Sequence, residues 1–565
     1  MVTSSHNRAV YLTIGAFAVT GPLLRLYQLS RPGALLGVTQ YDDGVLFGNA
    51  VRLAGGVIPY RDFVMVQPPG SLLLMAPVAL LAKATGTGWG LALARILTVC
   101  ADTACIVLLG LLVRHRGRLA IAIACGIYAV YPGALGASST FLLEPWLNLF
   151  CLGAALLLFD GDRFAVNWRL ALGGSLFGFA VTIKLWAAVP LLIAGLLLAG
   201  RARRLGLLAA GAVTGLAVPV LPFLYLAPGQ LISQVITSQF LRSTLPHPLS
   251  PRLADMAGLS LLPGLPKAAG IIVLLAIMVY LVAGFLVTSL VSRRPPPALD
   301  RYALASLAAV IVMFLLPSEY YAHYAAFAGP FAALALALPA GLHWQAVSRP
   351  RARPHPQAGS RPQARPHPQA GSRWQSRTPW QTGPTIRLVS LAVSGAAVAA
   401  LIATAGIRQA TAAPQQLEPP GTVAAIDRLI PAGACVITNN PALTIVANRF
   451  VAAHPGCPPI VDTYGTLLAM TGGRPQTATI PTMRAAELTW QGWLGRAPYV
   501  WLDTADHGLP WINSLYNYLG ANFQRVPLAG YEPALRGGLF LRTSTAVSHR
   551  RWHKAGGARR SRRYR

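Results

Sequence analysis

The residues best placed to do chemistry sit between Gln40 and Gly70, in the run QYDDGVLFGNAVRLAGGVIPYRDFVMVQPPG. It carries Asp42, Asp43, Arg52, Arg61 and Asp62 directly after a first apolar stretch. Charges beside a membrane are costly unless they lie at the water boundary or line a cavity, which makes them candidates for function. The run reads as a short surface helix. Asp42 or Asp43 can cap its start, Leu46, Ala50 and Leu53 share one face, and Gly55-Gly56 ends it. One carboxylate suffices for capping, so the second is available as a base or substrate ligand. Equally, both acids can serve only the helix start and its dipole. The residues alone leave both readings standing.

Further candidates lie later in the chain. Glu144, in FLLEPW, opens an apolar segment beside Pro145, where the helix dipole also favours an acid. Lys184 sits at a turn between GFAVTI and LWAAVP, where a lysine can snorkel to water. Arg61, in IPYRDF, is a second cation, unless it only pairs with Asp62. Tyr320, Tyr321, His323 and Tyr324 cluster with Glu319 at the end of an apolar segment. An aromatic belt at the bilayer surface accounts for tyrosines there, and aromatic faces also suit sugar rings. Asp102 is a lone acid in an apolar run, bonded to Thr103 or packed inside a bundle. Cys435 and Cys457 occupy a polar C-terminal region and can pair as a disulfide if it lies outside the cytoplasm. The other four cysteines fall in apolar runs, and no Cys/His spacing matches a zinc site.

A membrane scaffold must hold these residues. The chain has 565 residues, 54% of them hydrophobic, and a mean hydropathy of +0.50, which indicates a polytopic membrane protein. Half of its +30 net charge lies in 345–385 and 550–565, neither of which contains an acid. Basic chains often bind nucleic acid. Here arginines flank apolar spans, as the positive-inside bias and anionic lipid require, so membrane lipids are expected partners and nucleic acid is not. The apolar runs give about eleven spans, with the N-terminus cytoplasmic and the C-terminus outside. Residues 71–84 are short for a crossing and read as a re-entrant or interfacial hairpin. Residues 1–344 form the transmembrane domain and 386–409 the last span. Between them, 345–385 is a cytoplasmic Arg/Pro-rich linker in which ARPHPQAGSR occurs twice; such composition cannot build a core and reads as disordered. Residues 410–547, with strand-like YVWLDTADHG and GLFLRTST around amphipathic WINSLYNYLGANF, read as a small extracytoplasmic α/β domain. A basic disordered tail, 548–565, closes the chain.

An acidic pair just after the first span, an amphipathic helix, and then Pro68-Pro69 before a short apolar stretch resemble the first external loop of GT-C glycosyltransferases. This membrane superfamily includes protein O-mannosyltransferases and the aminoarabinose transferases of lipid A. The resemblance covers roughly residues 9–344, and it implies an α-helical polytopic fold in the cell inner (plasma) membrane. It further implies transfer of a sugar, such as mannose or arabinose, from a polyprenyl-phosphate donor to a cell-envelope or cell-wall glycan, lipid or protein. Under it, Asp42 or Asp43 is the base or acceptor ligand. Glu144 is the second acid near it, although Asp is commoner at that place in those families. Lys184 matches a turn where a lysine can hold the lipid phosphate, with Arg61 as the other cation. Tyr320, Tyr321, His323 and Tyr324 are the expected pocket. No cofactor is certain, and metal dependence is open: Asp42, Asp43 and Glu144 could share a divalent cation such as Mg or Mn. The rival reading is a non-enzymatic transporter or flippase of lipid-linked glycans. It predicts inverted repeats and broken midplane helices, which the sequence does not display.

Overall fold

The computed structural model describes residues 2–242, 248–259, 279–280, 295–317, 319–348, 421–475, 477–503, 513–528 and 537–543. Helix α1 (Val2–Leu29) leads through a loop to α2 (Tyr41–Ala54), α3 (Gly70–Thr85) and α4 (Thr87–Val113). Next come α5 (Arg118–Val130), α6 (Pro132–Ser138) and α7 (Leu143–Leu158). A two-stranded hairpin, β1 (Phe159–Asp160) and β2 (Arg163–Phe164), turns the chain into α8 (Asn167–Ile183), α9 (Ala188–Leu197) and α10 (Ala202–Leu226). Short helices α11 (Pro228–Ile232), α12 (Ser238–Phe240) and α13 (Leu249–Met256) precede α14 (Ala298–Leu315) and α15 (Ala325–Ser348).

Five helical segments among the described residues are long and apolar enough to cross a membrane: Arg8–Leu29, Thr87–Arg116, Ala202–Leu226, Ala298–Leu315 and Ala322–Leu342. A sixth is formed if α5 and α6 count as one span bent by 52°. The bend has a local cause: Pro132 cannot continue the hydrogen-bond ladder, and Tyr131 before it is extended. The count falls short of eleven for two reasons. Expected spans at 268–291 and 386–407 lie outside the described residues. Those at 143–159, 170–183 and 185–199 are helices of 16, 17 and 10 residues, below the roughly 20 a full crossing needs. The expected hairpin at 71–84 is instead the single helix α3.

Small residues let the bundle close. Helices α8 and α10 touch backbone to backbone: a Cβ on Gly178 would strike the Ala212 carbonyl, and one on Gly211 the Ala171 carbonyl. Buried charge is paired. Asp102 accepts from Arg25 of α1, and Tyr128 donates to it at 2.6 Å. Thr103 turns instead to the Val99 carbonyl at 2.7 Å.

The C-terminal residues carry a four-stranded sheet in the order β3 (Val436–Thr438), β4 (Tyr499–Leu502), β6 (Gly538–Arg542), β5 (Phe523–Val526). Strands β3 and β4 run parallel, and the remaining pairs antiparallel. Helices α16 (Thr422–Leu429), α17 (Pro441–Val446), α18 (Thr463–Met470), α19 (Ile480–Leu494) and α20 (Asn513–Asn522) accompany it. Trp490, Val500, Leu515 and Leu519 pack between sheet and helices. Cys435 and Cys457 are joined by a disulfide with Cα atoms 5.5 Å apart.

This C-terminal unit is seated on the membrane part through α2 and α4. Gly44 lies against the backbone of Ala442, where a side chain would collide with the Ala442 nitrogen. One turn on, Gly48 faces Phe450 and Val461. Thr87 Oγ1 donates to the Ile445 carbonyl at 2.7 Å, and the Gly88 amide donates to Asn448 Oδ1 at 3.0 Å. Asn448 thus closes the open N-terminus of α4 from outside the helix.

Candidate functional site

Helix α2 starts at Tyr41 after an extended Gln40, and no side chain caps it. Asp42 and Asp43 therefore both lie in the first turn, about 100° apart around the axis. They cannot face the same way. Asp43 turns inward and is fully buried. Its Oδ2 accepts from Arg95 Nη2 at 2.5 Å, Arg95 Nε at 3.1 Å and Thr140 Oγ1 at 2.5 Å. Arg95 also donates to the carbonyls of Ala34, Leu35 and Gly37, which folds the loop before α2 around the pair. Asp42 turns outward, with its side chain 44% exposed.

Asp42 faces a cavity of about 850 Å³, walled by α2, the turn entering α7, the turn after α8, the 321–324 turn, Arg242 and the start of α18. Glu144 reaches it from the first turn of α7, where Pro145 follows a carboxylate favoured by the helix dipole. Lys184 reaches it because the chain breaks to an extended conformation between α8 and the next helical turn. Lys184 Nζ donates to Glu144 Oε1 at 2.7 Å and lies 3.5 Å from the Trp186 ring centre and 4.4 Å from that of Tyr324. Burial pulls the Lys184 ammonium below the ordinary lysine value, and the Glu144 carboxylate opposes that fall. His323 Nε2 stands between the acids, 3.9 Å from Asp42 Oδ2 and 3.9 Å from Glu144 Oε1. The second oxygen of Glu144, Oε2, is buried and accepts no hydrogen bond from the described residues.

Of the aromatic cluster, Tyr321, His323 and Tyr324 line the cavity. The Tyr321 and His323 rings stack at 5.8 Å, nearly parallel. Tyr320 is turned away and packs on Phe314 and Tyr324, so it is not part of the wall. Arg61 is also outside: it is half exposed and holds Asp62 at 2.8 and 2.9 Å. The local reading, in which Arg61 only neutralises its neighbour, is the one the geometry follows. Asp43 is likewise absent from the wall, for the helical reason given above. The structure thus brings Asp42, Glu144 and Lys184 together and leaves Asp43, Arg61 and Tyr320 apart.

Several wall residues were not foreseen. Arg242 enters the cavity, forms an ion pair with Glu319 and lies 4.9 Å over the Tyr464 ring. Burial alone would lower its pKa, but the Glu319 charge beside it more than reverses this. Helices α11 and α12 carry it there, tied to the Met65-Val66 backbone by Gln234 at 2.9 Å and Gln239 at 3.1 Å. Glu319 also accepts from Tyr321 at 2.6 Å. Asp462 and Tyr464 come from the C-terminal unit, and Tyr41 Oη donates to Asp462 Oδ1 at 2.7 Å. Burial raises the Asp462 carboxyl; hydrogen bonds from Gly465 and Tyr41 draw it back, and the nearby Asp42 charge adds to the rise. An unexplained arginine next to a surface helix was the available signal for Arg242. Asp462 gave none.

Asp42, Asp43 and Glu144 do not fit a shared metal. Asp43 is committed to Arg95, and Glu144 Oε1 to the Lys184 ammonium. Among the described residues no group of three His, Cys, Asp or Glu side chains is arranged to hold a metal.

No family profile and no curated protein sequence matches the chain. Solved structures do. ArnT from Cupriavidus metallidurans bound to undecaprenyl phosphate superposes with a TM-score of 0.54 at 13% identity, covering 94% of this chain and 97% of that one. The same protein in the apo state gives 0.53 over 93% and 97%. The Archaeoglobus fulgidus oligosaccharyltransferase complex with Zn and sulfate gives 0.49 at 14% identity, over 94% and 73%. The chain is a multi-pass membrane protein whose fold is similar to that of ArnT.

Proposed function

We propose that this protein is a membrane glycosyltransferase that moves a sugar from a polyprenyl-phosphate donor to a cell-envelope acceptor on the extracytoplasmic face. The observation that carries this reading is the meeting of Asp42, Glu144, Lys184 and His323, from four separate segments, in one cavity beside apolar helices. A lipid-linked sugar phosphate needs a cation for its phosphate, a carboxylate for the acceptor hydroxyl and an apolar flank for its tail. Lys184 supplies the first need as a point charge held by Glu144. Asp42 supplies the second, being the exposed member of the acidic pair.

In the proposed reaction the acceptor oxygen attacks the anomeric carbon while Asp42 takes its proton. The bond from that carbon to the phosphate oxygen breaks, and the polyprenyl phosphate leaves with the electron pair, its charge held by Lys184. One displacement inverts the anomeric centre and needs a single base. Glu144 holds the Lys184 ammonium at the cavity wall through Oε1. The ends of α4 and α7 support the extracytoplasmic orientation through the positive-inside bias. Their starts lie by the cavity and the C-terminal unit, and their ends lie by Arg114, Arg116 and the β1–β2 hairpin, with Arg163. Those arginines mark the cytoplasmic side.

The test is transfer of radiolabelled sugar from polyprenyl-phosphate donors in membranes containing the purified protein. Asp42→Asn should lower kcat about a hundredfold to ten-thousandfold, the usual contribution of a positioned base. Lys184→Met should raise the donor KM about tenfold or more, as loss of a charged hydrogen bond does. Transfer unaffected by both changes overturns the reading.

A further inference from the structure

Asp42 sits one residue from a tyrosine that the far end of the chain holds. Tyr41 Oη lies 2.7 Å from Asp462 Oδ1, 3.1 Å from Thr463 Oγ1 and 3.3 Å from the Tyr464 amide, three partners more than 420 positions away in sequence. Asp462 is 6% exposed, and the same Oδ1 accepts the Gly465 amide at 2.7 Å as the cap of α18. The anchor is therefore rigid: a capped helix start, with its carboxylate fixed from two sides. The other end of the link is not self-supporting. Helix α2 has no side-chain cap of its own, and its first-turn amides have no acceptors within the helix. The first turn of α2 is held on its inner side by Asp43 with Arg95 and Thr140, and on its cavity side by the Tyr41 hydroxyl, pinned by the C-terminal unit.

We infer that Tyr41 and Asp462 are positioning residues for Asp42: the Tyr41–Asp462 hydrogen bond sets the direction in which the first turn of α2 presents its outward carboxylate to the cavity. This rests on the reading of Asp42 as the base. The C-terminal unit thereby acts on the reaction through an amino acid adjacent to the base, without touching the reacting atoms. A purely structural contact would leave the rate per folded molecule unchanged. A positioning contact lowers kcat and spares the KM of the donor, whose phosphate the proposed reaction assigns to Lys184.

The experiment uses the full chain in lipid nanodiscs and compares wild type, Tyr41→Phe, Asp462→Ala, Asp462→Asn and the double variant Tyr41→Phe/Asp462→Ala. Tyr41→Phe keeps the ring and the α18 cap and removes only the hydroxyl. It should lower kcat about tenfold, the scale of one lost hydrogen bond to a charged group, with donor KM within about twofold. Asp462→Ala also removes the α18 cap, so it should fall at least as far, and the double variant should match Asp462→Ala rather than sum the two losses, since both lack the Tyr41–Asp462 link. Asp462→Asn keeps the accepting oxygen and should restore most of the rate. A second measurement does not depend on turnover: amide hydrogen exchange of the 41–47 segment should quicken in Tyr41→Phe while peptides from α4 stay unchanged. Additive losses in the double variant, or unchanged exchange at 41–47, overturn this inference while leaving the base assignment intact. Loss of the base assignment shows separately, as full activity in Asp42→Asn with exchange still coupled to Tyr41.

Discussion

Adjacent aspartates on one helical turn have opposite surroundings, and this sets what each substitution should do. Asp43 is buried against Arg95 and has no surface toward the cavity. Asp43→Asn leaves the Arg95 guanidinium buried without its countercharge, which costs about 3–5 kcal/mol. Thermal unfolding in detergent should register that as a large drop, whereas Asp42→Asn should melt near wild type while losing turnover. Lys184 gives a pH signature of its own. Burial lowers its pKa below the ordinary 10.5, so the folded chain releases this proton where the unfolded chain still holds it. Stability contributed by this group therefore rises with pH through the window between the folded value and 10.5, while the cation available to the donor phosphate disappears. The donor KM should climb at a pH below 10.5 without a matching loss of thermal stability. A parallel fall in both would point away from Lys184.

At the scale of elements, the seat of the C-terminal unit depends on the bare face of α2. Gly44 and Gly48 are one turn apart; Ala442 approaches Gly44 more closely than a side chain there would permit, and Phe450 and Val461 would be in tight contact with one on Gly48. Gly44→Val should unseat α17 at a cost of about 1–3 kcal/mol and expose residues 421–543 to limited proteolysis, with the membrane helices intact. An undisturbed digestion pattern would contradict this packing. The same elements mark what was legible beforehand. The α2 helix, the acidic pair at its start, Glu144 at a helix start and Lys184 at a turn were all readable, because each is a charged exception in an apolar or periodic setting. The choice between Asp42 and Asp43 was not. It depends on Arg95, which is 52 positions from Asp43 and looks in sequence like any charge within a span. Span counts were misjudged because the segments bounded by the hairpin at 159–164 and by the extended Lys184 are helices shorter than a full crossing, and because Pro132 bends another.

For the whole molecule, the residues hardest to foresee are those whose partners are remote. Arg25 with Asp102 spans 77 positions, and Tyr41 with Asp462 spans 421. Hydropathy and periodicity report on neighbours within one or two turns, so neither pair leaves a trace in them. Two lone opposite charges in separate apolar runs would have been the one fair hint for Arg25. The cavity has the same character: its floor comes from helices near the N-terminus, and a side of it, with Asp462 and Tyr464, from the C-terminal unit.

The contact of Asn448 with the start of α4 reaches into biosynthesis. That helix receives its outer cap from a side chain made 360 residues after it. During synthesis the span must therefore enter the bilayer and wait, its leading amides hydrated, until the ribosome has finished most of the polypeptide. The chamber cannot assemble progressively alongside translation. A nascent chain arrested before Asn448 would therefore lack both this cap and the side of the cavity that Asp462 and Tyr464 supply.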